Sequence, residues 1–211
     1  MDKQKVLDEL RKKAQDDERL PLKKGATNLV FGSGNPNAEI LFIGEGPGYW
    51  EDIKAEPFVG PAGALLNQLL SLIKVDRKDV FITNVIMYRP PQNRDPMPVE
   101  INAFKPYIDG IIDTINPKLI VTLGRFSMGK FLPGVFISKV HGKPADVEWK
   151  GRKVNVLPMY HPAAALRSGE VKMKLKEDFL LIPKILEEVK TQKDSEKDAR
   201  MDKEPDQMKL I

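Results

Sequence analysis

The sequence predicts an α/β fold, a three-layer α/β/α sandwich with a central, mostly parallel four-stranded sheet. Three observations predict it: apolar runs of strand length, helical spacing of apolar residues between them, and loops rich in glycine and polar residues where the runs end. Strands and helices that alternate at this spacing form crossover units, which gather their functional loops at the carboxyl ends of the strands. We therefore expect one functional site in those loops.

The elements follow in a regular order along the chain. Val6, Leu7 and Leu10 share one face of an amphipathic first helix. Strands are predicted over residues 40–43, 80–85, 119–123 and 154–157, and helices over residues 63–73, 99–115 and 125–131. Alternating charges and few apolar residues predict that a single domain at 1–190 is followed by a disordered tail at 191–211.

Composition limits the chemistry that the chain can carry. A formal net charge of +4 over 211 residues is compatible with a polyanionic partner but does not identify one. The chain has no cysteine and only two histidines, His141 and His161, which excludes disulfides, thiolate zinc sites and cysteine-ligated clusters. We expect no metal and no cofactor. No apolar run is long enough for a membrane span and the N-terminus has no signal core, so a cytoplasmic location is expected.

Three loop motifs stand at the ends of predicted strands. They are GEGPGYWEDIKAEPFVGPAG after the first strand, NVIMYRPPQNR at the second and HPAAALR after the fourth. In the first motif, Gly44, Gly46 and Gly48 predict a tight turn without side-chain bulk, which a flat ring could approach closely. The three motifs together are far more specific than any one of them.

With these motifs, residues 20–189 resemble the uracil-DNA glycosylase superfamily, and within it the type-four class, whose usual pattern is GEAPG, ED, PFVG and AG. The resemblance implies hydrolysis of the bond between uracil and deoxyribose, on a base that has been extruded from the helix. It implies uracil-containing DNA as the partner, a role in base excision repair, a monomer and a place in a prokaryotic nucleoid.

The resemblance also assigns roles to single residues. Phe58 stacks on the base, Asn84 reads N3 and O4, and His161 donates to O2 as the base departs. Glu51 lies at the C5 edge, where it excludes the thymine methyl group, and Glu45 lies near the sugar. Glu45, Asn84 and His161 are thus the predicted catalytic residues. Each of these residues also has an ordinary interpretation: a core phenylalanine, a turn-capping asparagine, a structural histidine and solvated acids.

A second group of residues is predicted to contact DNA. In residues 163–167, Ala165 or Leu166 is expected to act as a wedge in the helix, and Arg167 to contact a phosphate. Further candidate phosphate contacts are Arg89, Asn93, Arg94, Lys139, His141 and Lys143. For these, the alternative is a solvated charge in a turn. Residues 207–211 resemble a sliding-clamp-binding peptide without its aromatic pair, so a clamp contact is a subsidiary prediction.

The sequence departs from the type-four pattern in two places. That class holds a four-iron cluster on four cysteines, and a packed group is predicted to replace it. The residues at the four positions are Asp17, Leu20, Tyr88 and Phe104. Gly46 stands where the class has alanine and where another branch has a water-orienting aspartate. Water must then be positioned by Glu45, by the backbone or by the substrate, and slower chemistry is expected.

Other functions are also compatible with parts of this sequence. A related protein could bind uracil-containing or damaged DNA without cutting, or could release hypoxanthine or mismatched thymine through a roomier turn at Gly46. The segment GRFSMGK at residues 124–130 resembles a phosphate-binding loop. Phe131 stands where such a loop needs a hydroxyl for magnesium, so nucleotide hydrolysis is not expected.

Overall fold

The computed structural model describes residues 2–201, with side chains to residue 192. Its middle layer is a six-stranded sheet in the order β1-β3-β2-β4-β6-β5. The four inner strands are parallel and the two edge strands, β1 and β5, are antiparallel to their neighbours. The strands are β1 Ser33–Gly34, β2 Ile40–Gly44, β3 Phe81–Asn84, β4 Leu119–Leu123, β5 Ala145–Trp149 and β6 Arg152–Met159. The four predicted strands are confirmed as the parallel centre, and the sheet is wider than predicted.

Helices cover both faces of the sheet, which confirms the α/β sandwich. In chain order they are α1 Lys3–Asp16, α2 Tyr49–Lys54, α3 Pro61–Leu72, α4 Pro98–Ile115, α5 Arg125–Gly129, α6 Ile137–Val140, α7 Pro162–Ala165 and α8 Gly169–Met201. The local sequence determines where several of these helices begin. The Asp2 side chain accepts hydrogen bonds from the Gln4 and Lys5 amides at the start of α1. Proline, which lacks an amide hydrogen and suits a first helical turn, begins α3, α4 and α7.

The two faces of the sheet form two separate core layers. In β2, Leu41 and Ile43 pack with α4, whereas Phe42 packs on the other side with α3 and α8. The rings of Phe42 and Phe179 stack there with centroids 5.9 Å apart. Burial on both faces explains why β2 and β4 are almost continuous apolar runs rather than alternating ones.

Helix α8 was not predicted, and it passes the predicted boundary between residues 190 and 191. Its last core residue is Val189. The division into a domain and a tail stays a prediction, and the clamp-like residues 207–211 lie outside the described residues. Within residues 2–201, no helix combines the length and the apolar composition needed to cross a bilayer.

The four positions assigned to cluster cysteines do not fit such a cluster, which requires thiolate ligands. Leu20, Tyr88 and Phe104 are buried in one core layer, and the rings of Tyr88 and Phe104 lie 6.0 Å apart. Asp17 accepts a hydrogen bond of 2.8 Å from the Tyr107 hydroxyl and pairs with Arg19. Burial, together with this bond, raises the pKa of Tyr107 to about 12. Apolar packing and one polar pair thus occupy this region.

Candidate active site

A cleft of about 650 Å³ opens at the carboxyl edge of the parallel strands. The loops that follow β2, β3, β4 and β6 line it, so the three predicted motifs converge as expected. Among the predicted residues, those on its wall are Glu45, Gly46, Gly48, Glu51, Phe58, Asn93, Arg94, His161 and Arg167. The cleft is therefore the place where the sequence motifs can act on one ligand.

Asn84 ends β3, and its side chain is buried beside the cleft rather than on its wall. Its Oδ1 atom has no hydrogen-bond partner among the described residues. An unsatisfied buried polar group costs about 1–3 kcal/mol, so an acceptor left in this state is suited to a ligand donor. Gly44 pairs with Asn84 across the sheet. A side chain at Gly44 would overlap Oδ1 and come within 2.6 Å of the Phe58 ring, so this glycine provides space for both groups.

His161 precedes α7, and its tautomer follows from one hydrogen bond. The Ala163 amide donates to Nδ1 at 3.1 Å, so in the neutral ring the proton must be on Nε2. Nε2 is buried and has no partner in the described part of the chain. Burial, and after it the charge of Arg167, lowers the pKa of His161 to about 4. The ring is therefore a neutral donor at physiological pH, and it stacks on Phe58 at 5.5 Å.

Phe58 adopts a left-handed backbone conformation with φ of 52°. This conformation is strained for a bulky aromatic residue, and the surroundings must hold it. On one side, Glu51 Oε1 accepts hydrogen bonds from the Val59 and Gly60 amides at 2.9 and 2.8 Å. On the other side, the Arg77 guanidinium donates to the Phe58 carbonyl at 3.1 Å. Two charged side chains thus fix the loop that carries the stacking ring.

Arg77 was missed in the sequence because a single arginine between Asp76 and Lys78 has no distinguishing pattern. It also donates to the Pro57 carbonyl, and burial lowers its pKa. The Phe58 conformation also requires a glycine at position 63 in α3, because a side chain there would overlap the Phe58 carbonyl. Neither signal is visible without the tertiary contacts.

The carboxylate of Glu51 therefore has a structural contact that the resemblance did not indicate. It lines the cleft, yet one oxygen is engaged by the loop. A side chain at Gly48 would lie 2.8 Å from the other oxygen, so this glycine leaves room for the acid. Exclusion of a methyl group by Glu51 stays a prediction.

Glu45 and Gly46 form the turn after β2. Glu45 is half-buried on the cleft wall. Its pKa is raised, first by burial and then by Asp95, with Arg125 acting against the shift. At Gly46, an added side chain would come within 2.7 Å of Ile86. The space that the sequence suggested beside this glycine is therefore filled by an apolar side chain.

Of the two residues predicted to act as a wedge, one lies in the core and the other at the surface. Ala165 is 2% exposed and packs in the core, whereas Leu166 beside it is 50% exposed. The core position of Ala165 does not suit the predicted DNA contact, because its methyl group faces α3 and α8 rather than solvent. Arg167 is exposed at the cleft, as its predicted phosphate contact requires.

Several other predicted DNA contacts have protein partners. Arg94 binds both oxygens of the buried Glu100 carboxylate, at 2.8 and 2.6 Å, which anchors the start of α4. His141 Nδ1 lies 2.9 Å from the buried Asp178 carboxylate. For these two, the structure favours an anchoring role over the predicted phosphate contact, because each satisfies a buried acid.

Unlike Arg94 and His141, the candidates Lys143 and Arg89 have no buried acid as a partner in the described residues. Lys143 is exposed and donates to the Lys139 carbonyl at 3.1 Å. Arg89 donates to Asn93 Oδ1 at 2.7 Å and lies over the Tyr49 ring. Their predicted contacts with phosphate stay predictions.

The phosphate-loop resemblance at residues 124–130 does not produce a phosphate site. Lys130, the residue that would reach a phosphate, pairs with the buried Asp109 carboxylate. Among residues with described side chains, no three of the His, Asp and Glu side chains gather as they would around a metal ion.

The fold and the cleft together define a class of protein. An aromatic ring, a buried amide acceptor and a neutral imidazole donor at the strand ends suit a flat ring with donors and acceptors on its edge, as in a nucleobase. The family model of the Uracil DNA glycosylase superfamily matches residues 31–182. This chain belongs to that superfamily.

Several curated relatives match this chain over most of their own length. The type-4 uracil-DNA glycosylase of Archaeoglobus fulgidus is 44% identical over 82% of this chain and 89% of its own. The enzyme of that name in Sulfurisphaera tokodaii is 48% identical over 72% of each chain. The one in Thermotoga maritima is 44% identical over 75% of this chain and 83% of its own.

Proposed function

We propose that this protein is a uracil-DNA glycosylase that hydrolyses the N-glycosidic bond of uracil extruded from DNA, in base excision repair and without an iron–sulfur cluster. One observation carries the proposal: beside Phe58, two buried polar atoms of opposite character have no hydrogen-bond partner in the described part of the chain, the acceptor Asn84 Oδ1 and the donor His161 Nε2. Uracil offers a donor at N3 and an acceptor at O2 next to each other. Cytosine has no hydrogen at N3, so it would leave the amide oxygen facing another acceptor.

His161 supplies the main stabilisation of the transition state in this proposal. As the bond to the sugar breaks, negative charge collects on O2 of the departing base. A donor at that position favours the transition state more than the ground state. Because the pKa of His161 is about 4, the imidazole donates a hydrogen bond and keeps its proton.

Glu45 has the complementary role. Its half-buried carboxylate on the cleft wall is suited to the positive charge that develops on the sugar and to the orientation of the attacking water. We assign base stacking to Phe58 and exclusion of the thymine methyl group to Glu51. Ile86 fills the space beside Gly46, which argues against a larger base such as hypoxanthine.

The absence of a cluster is part of the proposal and has its own test. Leu20, Tyr88 and Phe104 pack where the type-four class places cluster ligands. The purified protein should show no iron–sulfur absorption band and no bound iron, and either signal would contradict this part. A monomer, a nucleoid location and a sliding-clamp contact remain predictions.

The activity test uses single- and double-stranded DNA with one uracil, followed by alkaline cleavage of abasic sites. Wild-type protein should produce abasic sites, and Asn84→Ala and His161→Ala should each lower the single-turnover rate about 10²–10³-fold. Thr122→Val is the matched control, since Thr122 Oγ1 is the third buried side-chain atom without a partner in the described residues, yet it belongs to β4. Its rate should stay within about threefold of wild type.

Two outcomes would sink the proposal. Wild-type protein that binds the uracil-containing strand but yields no abasic product would indicate a non-catalytic binding protein. Equal losses in all three variants would indicate a general effect on folding rather than roles for Asn84 and His161 in a base pocket.

A further inference from the structure

Helix α2 presents aromatic side chains to solvent at the edge of the cleft. Tyr49 and Trp50 are 50% and 51% exposed, and Ile53 on the same helix is also exposed. Large aromatic residues gain little from such positions in an isolated protein, and a group of them at a functional cleft marks an interaction surface. The role assigned above to the cleft does not use these side chains.

The acids of α2 face inward, so the exposed surface of the helix is aromatic rather than acidic. Glu51 is held by the Val59 and Gly60 amides. Asp52 is buried, and its Oδ1 accepts hydrogen bonds from the Thr27 and Asn28 amides at 2.9 and 3.0 Å. The surface that α2 offers therefore does not repel a polyanion.

A cation completes this surface. The Tyr49 and Trp50 rings meet edge to face with centroids 5.2 Å apart. The Arg89 guanidinium lies 5.2 Å from the Tyr49 centroid, and its hydrogen bond to Asn93 holds it there. Aromatic rings combined with arginine are the usual means by which proteins hold unpaired bases next to a phosphate backbone.

The aromatic surface is continuous with the base pocket. Gly48, which precedes α2, lines the cleft. The Trp50 ring lies beside Gly60, where an added Cβ would be 3.4 Å from its Cδ1. Gly60 is two residues from Phe58, so a nucleotide strand that places one base at Phe58 would pass Trp50.

We propose that Tyr49, Trp50 and Arg89 form a stacking platform for an unpaired base next to the extruded nucleotide. This inference rests on the proposed function, because it takes DNA with a base at Phe58 as the ligand. Stacking of one base on an aromatic side chain contributes roughly 5- to 150-fold in affinity. The platform therefore favours single-stranded DNA over a duplex, in which neighbouring bases stay paired.

Binding to a strand that cannot be cleaved tests the platform. The probe is a single-stranded oligonucleotide with one 2′-fluoro-deoxyuridine, and in two further probes the base on its 5′ or 3′ side is replaced by an abasic tetrahydrofuran. Wild-type affinity should fall at least about fivefold when the base on one of the two sides is removed. Tyr49→Ala/Trp50→Ala should lower affinity for the complete strand to the same level and be insensitive to that removal.

Leu180→Ala is the matched control, because Leu180 is 50% exposed on α8, away from the cleft. It should bind all three probes as wild type does. If the loss of affinity caused by the double variant and the loss caused by the missing base simply add, the platform is overturned, because two groups in contact do not contribute independently.

Fluorescence gives a second readout. The chain has two tryptophans, and Trp149 lies at the far end of the sheet, where it pairs with Arg152 at the start of β6. In a Trp149→Phe variant, the remaining Trp50 emission should be quenched by the complete strand and much less by the strand without the stacking base. Equal emission with both strands would also overturn the platform.

The two proposals fail separately in these experiments. The binding cycle needs no chemistry, so an additive cycle in a protein that releases uracil overturns only the platform. A non-additive cycle in a protein that never releases uracil overturns only the proposed activity.

Discussion

The floor and the rim of the cleft differ in how the chain treats its polar and aromatic groups. On the floor, defined by Phe58, Asn84 and His161, the side chains are packed against one another, and two buried polar atoms have no partner among the described residues. On the rim, the side chains of Trp50 and Leu166 are about half exposed to solvent. Unpaired buried atoms discriminate between bases, because a base that cannot form the hydrogen bond leaves them buried without a partner, which costs free energy. Exposed rings and charges instead contribute affinity for DNA of any sequence.

This contrast means that floor variants should change the chemical step and rim variants should change DNA affinity. The expected effects decrease from the floor to the rim.

After the losses expected for Asn84→Ala and His161→Ala, the next largest effect is expected from a carboxylate added beside the floor. Gly46→Asp alone should displace the Ile86 side chain, because an added Cβ would lie within 2.7 Å of it. The double variant Gly46→Asp/Ile86→Ala has room for the acid and should raise the rate of uracil release by about 10²-fold, through a better-oriented water. Single-turnover rates measure this, with Ile86→Ala as the control. An unchanged rate in a folded double variant would show that water orientation does not limit the reaction.

The pH dependence should show that His161 acts as a neutral donor. Its pKa is lowered to about 4, so the rate should not change near pH 6.5 and should fall about tenfold per pH unit below about 4. Because unfolded His161 binds its proton near pH 6.5, its burial also costs stability as the pH falls from about 6.5 towards 4. Glu45 also has a shifted pKa, in the upward direction, so the profile is measured in Glu45→Gln as well. A step near pH 6.5 in both proteins would contradict the lowered pKa of His161 and its neutral form at physiological pH.

Arg77 should behave as a positioning residue for the floor. Arg77→Met removes the hydrogen bond to the Phe58 carbonyl, which lets the strained backbone relax and should lower kcat/KM about tenfold. Arg77→Lys should restore part of the loss. Lys78→Met is the control, since Lys78 is an exposed neighbour. A variant that loses only thermal stability, with kcat and KM unchanged below its Tm, would limit Arg77 to a structural role.

The smallest effect is expected at the rim. Arg167→Ala should weaken DNA binding a few-fold and reduce the slope of log affinity against log salt by about one. Arg94→Ala should instead lower the free energy of unfolding by about 1–3 kcal/mol, because it leaves the buried Glu100 carboxylate without its partner. Salt titrations and thermal unfolding of both variants measure this difference. The same salt slope in wild type and Arg167→Ala would remove Arg167 from the DNA contact.

The inner part of the fold was predictable because its signals are local. The inner strands β2, β3 and β4 are largely apolar runs that end at or just before a glycine or an asparagine. β6 is apolar over its second half, shortly before His161, and these strand ends carry the loops of the cleft. The edge strands were missed for physical reasons. β1 has two residues, and β5 alternates between partly buried and exposed positions, as an edge strand with one solvated face does.

The site was predictable in its members but not in their partners. Phe58 and His161 meet in the cleft, as the motifs indicated. The pairing of His141 with Asp178, 37 residues apart, and of Arg77 with the Phe58 carbonyl, 19 apart, depends on how α8 and the loop after α2 pack. A charged residue has the same letter in a sequence whether it contacts DNA or neutralises a buried acid.

The sequence by itself determined the parallel centre of the sheet and the three loops at its carboxyl edge, because hydrophobic periodicity and turn residues act over a few neighbouring positions. Only the tertiary structure decided which polar atoms are buried without partners, which arginines are free and which aromatic rings face solvent. These properties depend on the removal of water and on contacts between residues far apart in the chain, and a local pattern specifies neither of them.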